Sequence, residues 1–117
     1  MNEDLILCGD VVQLKSGTTR MTIGGEADGC LYCYWFDLNG ILCTGYFSPV
    51  VLRLVEKNSD DTTIKAGDIV CLNSSNEQLT VSEICEDNLV RVIFENKNRI
   101  IQDTVIPTCA LHIHKNN

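Results

Sequence analysis

Two short spacings in this chain could bind a metal or carry redox chemistry. Cys30 and Cys33 form a Cys-x-x-Cys string, and His112 and His114 are its only histidines. A zinc site needs a second pair of ligands, and no second Cys-x-x-Cys is present. Within a strand, positions 30 and 33 point to opposite faces, whereas 112 and 114 share one face. We interpret the first pair as structural and the second as part of a terminal strand, and expect no metal and no cofactor.

The remaining candidates for catalysis are paired carboxylates. Asp10 and Asp68 both follow a glycine at the start of a predicted strand. Aspartate at such a place fixes a turn by hydrogen bonds from its side chain to the backbone. No Gly-x-Ser-x-Gly string, phosphate loop or dinucleotide fingerprint is present. Because no nucleophile, base and orienting group can be assembled, we expect that the protein is not an enzyme.

Seven cysteines in a short chain could form a disulfide framework. The number is odd, no secretory signal is visible, and most of the cysteines lie in apolar runs. Reduced, packed thiols are therefore expected.

The charge of the chain limits its partners. Sixteen acidic and nine basic residues give a net charge of −7 over 117 residues. This charge repels a phosphate backbone, so no nucleic-acid binding is expected. No segment is long and apolar enough to span a membrane, and the first apolar run, after Glu3 and Asp4, is too short for a signal peptide. We expect a cytoplasmic protein without membrane contact, whose acidic surface could dock on a basic patch of another protein.

An internal repeat predicts the architecture. The segment that begins at Gly9-Asp10 returns 58 residues later at Gly67-Asp68, and the same ungapped shift aligns several later positions. A repeat of this kind indicates one supersecondary unit written twice. Each half, of about 50 residues, is marginal by itself, so the halves are expected to pack together or against another chain.

The pattern of each half predicts five short strands with a break at a proline before the last. Closure of such a sheet hides its edges, so the sequence predicts an all-β protein of two tandem five-stranded SH3-like barrels. The barrels would span residues 5–55 and 64–114, with a polar linker over 56–63. Asn39-Gly40 favours a type I′ hairpin turn after the third strand. The predicted strands are 10–15, 20–23, 30–37, 41–47, 51–55, 68–72, 78–85, 88–95, 99–105 and 109–114.

Five elements of the first half resemble the YodC-like family of small uncharacterised bacterial proteins. They are Gly9-Asp10-Val11-Val12-x-Leu14, Lys15-Ser16-Gly17, Met21-Thr22-Ile23, Cys33-x-Trp35-Phe36-Asp37 and Phe47-x-Pro49-x-x-Leu52. In the second half Arg91 and Ile93 replace the cysteine and tryptophan of the central strand. The resemblance implies a fold and a bacterial or phage source, but it points to no established activity.

The ungapped shift also predicts the faces of the third strand. It aligns Tyr32, Tyr34 and Phe36 with Val90, Val92 and Phe94, which alternate with Arg91. The face that carries an arginine is expected to be the wetter one, so Leu31, Cys33 and Trp35 are predicted to point outward. Such an apolar patch would bind a partner, or be covered by the second half or by another subunit in a homo-oligomer.

Two functions remain open. The first is a protein-binding module, an adaptor or an inhibitor, that presents the patch around Trp35 in an acidic surround. The alternative is a small-molecule-binding or sequestering protein for a nucleotide-like ligand, which a phage could use against host defence. Convergence of the cations around an aromatic wall would favour the ligand, and scattered cations would favour the protein partner. The candidate binding residues of the two functions are Leu31, Cys33, Trp35, Tyr46, Lys15, Arg20, Arg53 and Arg91.

Overall fold

The computed structural model describes residues 6–58 and 63–114 as an all-β protein. All ten predicted strands are present. The first five are β1 (Val11–Leu14), β2 (Met21–Ala27), β3 (Cys30–Phe36), β4 (Leu42–Phe47) and β5 (Leu52–Glu56). The second five are β6 (Ile69–Leu72), β7 (Leu79–Ile84), β8 (Leu89–Glu95), β9 (Ile101–Pro107) and β10 (Leu111–Ile113). A short 3-10 turn precedes the last strand of each set, at Pro49–Val51 and Thr108–Ala110.

The strands form two antiparallel sheets with the same strand order. The first sheet runs β4-β3-β2-β1-β5, and the second runs β9-β8-β7-β6-β10. The predicted closure into barrels is wrong, because in the described residues no ladder joins β4 to β5 or β9 to β10. The 3-10 turn redirects the chain so that the last strand pairs with the first strand of its own set, which makes β4 and β5 the edges of the first sheet and β9 and β10 the edges of the second.

The registers of the two sheets correspond, but the shift between them changes. Val11 pairs with Thr22 and Ile69 with Thr80, which preserves the shift of 58 residues. The β2–β3 loop holds two residues, 28 and 29, whereas Cys85 N–H bonds the Leu89 carbonyl across a three-residue loop. From β3 onward the shift is therefore one residue longer, as shown by Ile23↔Cys33 and Val81↔Val92.

The turns follow from local chemistry. Asp28 and Gly29 both have positive φ, which suits the two-residue hairpin of type I′. The prediction of a type I′ turn at Asn39-Gly40 is wrong, because only Gly40 of this pair has a positive φ. The Asp37 N–H bonds the Ile41 carbonyl, so the loop holds three residues instead of two.

Each sheet has its own apolar core. The core of the first sheet comprises Val12, Met21, Ile23, Leu31, Cys33 and Leu52, with Trp35 and Phe47 packed against it. The core of the second sheet centres on Val70, Leu72, Leu79, Val81, Val90, Val92, Phe94 and Ile106. Tyr34 of the first sheet belongs to this second core, so the two halves pack on each other.

Candidate protein-binding face

The predicted outward patch points inward. Leu31 is 6% exposed and Cys33 is fully buried, while Trp35 is half-buried against the first core, 6.1 Å from the Phe47 ring centre. The outward orientation of these three residues is therefore wrong. Burial raises the pKa of the Cys33 thiol to about 11, so it stays protonated at neutral pH.

The extra residue in the second β2–β3 loop explains the error. It makes Cys33 the counterpart of Val92, and Trp35 the counterpart of Phe94. A slip of one residue moves every side chain of a strand to the opposite face. The ungapped shift had aligned Cys33 with the wetter Arg91.

The opposite face of β3 is the one that contacts the second half. Tyr34 is 7% exposed, and Tyr32, Phe36 and Leu42 pack against the second core beside it. The Phe36 ring meets Phe94 edge-on at 5.6 Å between ring centres, a geometry that aromatic pairs favour. Burial, with the neighbouring tyrosines, raises the pKa of Tyr34 to about 12. We call the surface formed by Tyr32, Tyr34, Phe36 and Leu42 the outer face of the first sheet.

Gly24 makes room for this aromatic layer. It lies at a β-bulge in β2, and a Cβ atom there would collide with the Tyr34 ring. The bulge and the missing side chain together make room for the ring against the strand.

Polar bonds complete the contact between the halves. Thr22 Oγ1 donates to Ser74 Oγ at 2.6 Å, and Ser74 N–H donates back to Thr22 Oγ1 at 2.9 Å. Asn73 Nδ2 donates to the carbonyls of Gly9 and Cys109 at 2.8 and 3.1 Å. Because Thr22 is fully buried, the two bonds to Ser74 satisfy a hydroxyl group that has no access to water.

A disulfide joins the same two segments. Cys8 and Cys109 are bonded, with their Cα atoms 6.0 Å apart. The expectation that all thiols are reduced is wrong for this pair, because packing of the halves brings together two residues that are 101 positions apart. The other five cysteines are free thiols.

Asp10 anchors the start of the first sheet. Its carboxylate accepts the N–H groups of Leu7 and Asn58, each at 2.8 Å, and pairs with Lys57 Nζ at 2.7 Å. Burial alone raises the pKa of Asp10, but these three partners together hold it below its ordinary value. Asp68 accepts the Lys65 N–H in the equivalent turn, so the turn-fixing role expected for both aspartates is confirmed.

The predicted linker, residues 56–63, is partly outside the described residues, which omit 59–62. Glu56 ends β5, and Asn58 Nδ2 donates to the Cys109 carbonyl at 3.3 Å. The beginning of this segment therefore contacts both halves.

Three of the predicted cations, Lys15, Arg20 and Arg53, lie at one end of the first sheet, and Arg91 lies apart from them on the second sheet. Arg53 donates to Gln13 Oε1 at 2.7 Å on the first sheet, whereas Arg91 pairs with Asp103 at 3.6 Å on the second. Lys15 and Arg20 are exposed on either side of the β1–β2 loop. Tyr46 is 59% exposed on the edge strand β4 and packs against Tyr32 at 4.7 Å.

The two histidines lie beside different side chains. His112 Nδ1 lies 3.0 Å from Asn73 Oδ1, and His114 Nδ1 lies 3.9 Å from Cys71 Sγ. In the part of the chain that the structure describes, no three His, Cys, Asp or Glu side chains are grouped closely enough to hold a metal ion. Within the same residues, no helix is long and apolar enough to cross a membrane.

The second sheet carries an open groove on its own outer face. The volume of the groove is about 470 Å³. It includes the exposed side chains of Ile69 and Ile101, which are 38% and 64% exposed, and the half-buried Ile93 between them. We call this surface the second-sheet groove; it is lined by Ile69, Gln78, Thr80, Ile93, Phe94, Glu95 and Ile101.

The groove has an acidic surround. Glu95 lies in its lining, and Glu83 and Asp103 are exposed on the neighbouring strands β7 and β9. Arg91 is the cation beside them, and its pairing with the exposed Asp103 offsets part of its charge. An apolar centre within acidic residues suits a partner with an apolar, basic surface.

Sequence reasoning missed the groove, although the repeat contained the signal. With one residue added to the shift, Ile93 is the counterpart of Tyr34, and Thr80 is the counterpart of Thr22. The second half thus repeats, in smaller apolar residues, the face with which the first half makes its main contact.

One family model matches part of the chain. Residues 7–52 match the model of a family described as uncharacterized small protein (DUF2158). The match covers β1 to β4 and the first 3-10 turn, and it ends at the first residue of β5. No curated protein matches the chain.

Proposed function

We propose that this protein is a non-enzymatic protein-binding module, an adaptor or an inhibitor, whose contact surface is the second-sheet groove. One observation carries the proposal. The outer face of the first sheet is covered by the second half, whereas no residue that the structure describes covers the equivalent face of the second sheet, which has an apolar centre. Thr22 is fully buried and its counterpart Thr80 is exposed.

The chemistry of the groove supports a protein partner over a small ligand. Isoleucines supply apolar area without hydrogen-bonding groups, so they favour another apolar surface. The carboxylates around them disfavour a phosphate group, and Arg91 is engaged with Asp103. The proposed surface is still an apolar patch in an acidic surround, as the sequence predicted, but it is centred on Ile93 instead of Trp35.

We propose that the two halves are copies of one SH3-like, YodC-like unit and that the protein acts in the cytoplasm. The shared strand order and the corresponding registers support a common unit.

Affinity capture from the lysate of the native host tests the function. The bait would be the full chain, compared with Ile93→Asp and with a matched control, Ile84→Asp. Ile84 is 53% exposed and pairs with the core residue Val90, so it lies on the side of the sheet opposite to the groove. Thermal unfolding of all three baits would establish that they are folded.

A partner held by the groove should be retained by the parent chain and by Ile84→Asp. Its recovery should fall by about tenfold or more with Ile93→Asp, because a buried carboxylate would oppose contact with an apolar surface. A partner retained equally by both variants would contradict the proposal.

A further inference from the structure

The main contact between the halves joins two unlike surfaces; beside it, the Lys97 N–H bonds the Asn39 carbonyl and so joins the two equivalent turns, β8–β9 and β3–β4. On one side is the outer face of the first sheet. On the other is one end of the second sheet, formed by Asn73 and Ser74 after β6 and by the 3-10 turn Thr108–Ala110. Such a heterologous contact does not occupy every copy of the two surfaces, because each half carries a counterpart of both. One surface of each kind is therefore left over in the chain.

Several residues of the leftover surfaces are exposed where their counterparts are buried. On the face, Gly9 is buried and Gly67 exposed, while Val11 is 3% exposed and Ile69 38%. On the end, Ala110 is fully buried and its counterpart Val51 is 41% exposed. Val50, beside it, is 69% exposed.

We propose that a second copy of this chain occupies the second-sheet groove, seating there the free end of its first sheet. The free end comprises Lys15 and Ser16 after β1 and the 3-10 turn Pro49–Val51. This inference rests on the proposed function and names its partner. The two copies would repeat, between chains, the contact that the two halves make within one chain.

The residues that bond the halves have suitable counterparts at both free surfaces. The Thr22 and Ser74 hydroxyls correspond to Thr80 in the groove and Ser16 at the free end, so the same hydroxyl pair can form between copies. Asn73, which donates to the Gly9 carbonyl, corresponds to Lys15, which is also a donor.

The two cysteines of the disulfide have apolar residues as their counterparts. Cys8 corresponds to Ala66 and Cys109 to Val50, both exposed. The contact between copies would therefore be noncovalent and reversible, whereas the contact within the chain is locked.

The charges of the two free surfaces are complementary. Lys15, Arg20 and Arg53 lie where β1 ends and where β2 and β5 begin, which is the free end. Glu95 lines the groove, with Glu83 close by. Opposite charges would favour this orientation and make the association weaken as salt increases.

Disulfide trapping tests the geometry directly. Ala66→Cys and Val50→Cys, each in the full chain, would be mixed and oxidised gently. Because these positions repeat the Cys8–Cys109 relationship, we expect a covalent product of twice the chain mass that joins residues 66 and 50, identified by peptide mapping. The chain carrying both substitutions should give a ladder of two, three and more copies, since the contact is head-to-tail.

The control replaces Val50→Cys with Ala27→Cys, an exposed position at the opposite end of β2. Together with the parent chain, it measures crosslinking by the native free thiols. A product joining 66 to 50 at no more than the control level would overturn the proposal. So would a product joining residue 66 to residue 66, because that requires a symmetric contact.

Sedimentation separates this proposal from the proposed function. The parent chain should show a concentration-dependent mass above that of one copy, and Ile93→Asp should reduce it to one copy. A parent chain that stays single at the highest concentration overturns self-association. If Ile93→Asp nevertheless loses a captured partner, the protein-binding function stands with a different occupant.

Discussion

Thr22 and Ser74 exchange two hydrogen bonds across the junction of the halves. The hydroxyl of Thr22 donates to Ser74 Oγ at 2.6 Å and accepts the Ser74 N–H at 2.9 Å. Thr22 has no exposed surface, so its hydroxyl has no alternative partner in water. The pair fixes the β6–β7 loop against the first sheet.

Thr22→Val should therefore destabilise the protein. Valine keeps the shape of threonine but removes the acceptor of the Ser74 N–H, which would leave a partly buried donor without its partner. The free energy of unfolding should fall by about 1–3 kcal/mol. Denaturation by urea, followed by tryptophan fluorescence, measures the change.

Thr80→Val is the matched control for this prediction. Thr80 occupies the equivalent place in β7 and is exposed. Its replacement should change the free energy of unfolding by less than about 0.5 kcal/mol. Equal losses for the two variants would show that the hydrogen bonds to Ser74 contribute nothing.

Much of the fold could be predicted from the sequence because strand formation is a local property. Alternating apolar residues, Gly-Asp turns and the two prolines located all ten strands and both breaks. Which edges pair is not local, so the open sheets could not be distinguished from closed barrels.

The candidate site was mispredicted by a single residue. The loop of Glu86, Asp87 and Asn88 is one residue longer than its counterpart, and similar residues on both faces of β8 concealed the slip. Val90, Val92 and Phe94 on one face alternate with Leu89 and Ile93 on the other, so an ungapped alignment still matched apolar with apolar.

Acid should unfold this protein partly through Asp10. The pKa of Asp10 is lowered in the folded protein, so its contribution to stability is present above the ordinary carboxyl pKa of about 3.9. That contribution is lost as pH falls below about 4, through the lowered pKa. Asp10→Asn should cost about 1.5–3 kcal/mol at pH 7 and flatten the loss of stability below pH 4.

Urea denaturation at pH 7 and at several values below 4 would measure both effects. Asp68→Asn is the control, because Asp68 also accepts a backbone N–H at its turn, from Lys65. If the two variants lose equal stability at pH 7, the bonds to Lys57 and Asn58 do not stabilise the fold.

Cys33 should resist alkylation in the folded protein. It is fully buried, and its pKa of about 11 leaves roughly one thiol in a thousand ionised at pH 8. We expect Cys33 to react at least about a hundredfold more slowly than the half-buried Cys30 with iodoacetamide at pH 8. Mass spectrometry of the labelled peptides gives each rate.

In concentrated urea the two thiols should react at similar rates, which controls for intrinsic reactivity. Rapid labelling of Cys33 without urea would restore the outward orientation first expected for β3. It would also return Trp35 to the surface.

The last prediction concerns Arg99, which has a φ of +65° in the β8–β9 turn. Its counterpart in the β3–β4 turn is Gly40, with a φ of +72°. Outside glycine, this left-handed conformation costs about 1 kcal/mol or more, because the Cβ atom approaches the backbone. Arg99→Gly should therefore raise the free energy of unfolding by about 0.5–1 kcal/mol, after the greater flexibility of glycine in the unfolded chain is offset.

Gly40→Arg provides the reciprocal test. A Cβ atom at Gly40 would only touch the Lys97 backbone nitrogen, at 3.4 Å, but the rest of an arginine side chain would start from a buried position. The substitution therefore adds crowding to the strain of a positive φ and should destabilise the protein by more than about 1 kcal/mol. Urea denaturation of both variants under the same conditions compares the two turns. A loss of stability in Arg99→Gly would mean that the arginine side chain stabilises its turn by more than the backbone strain costs.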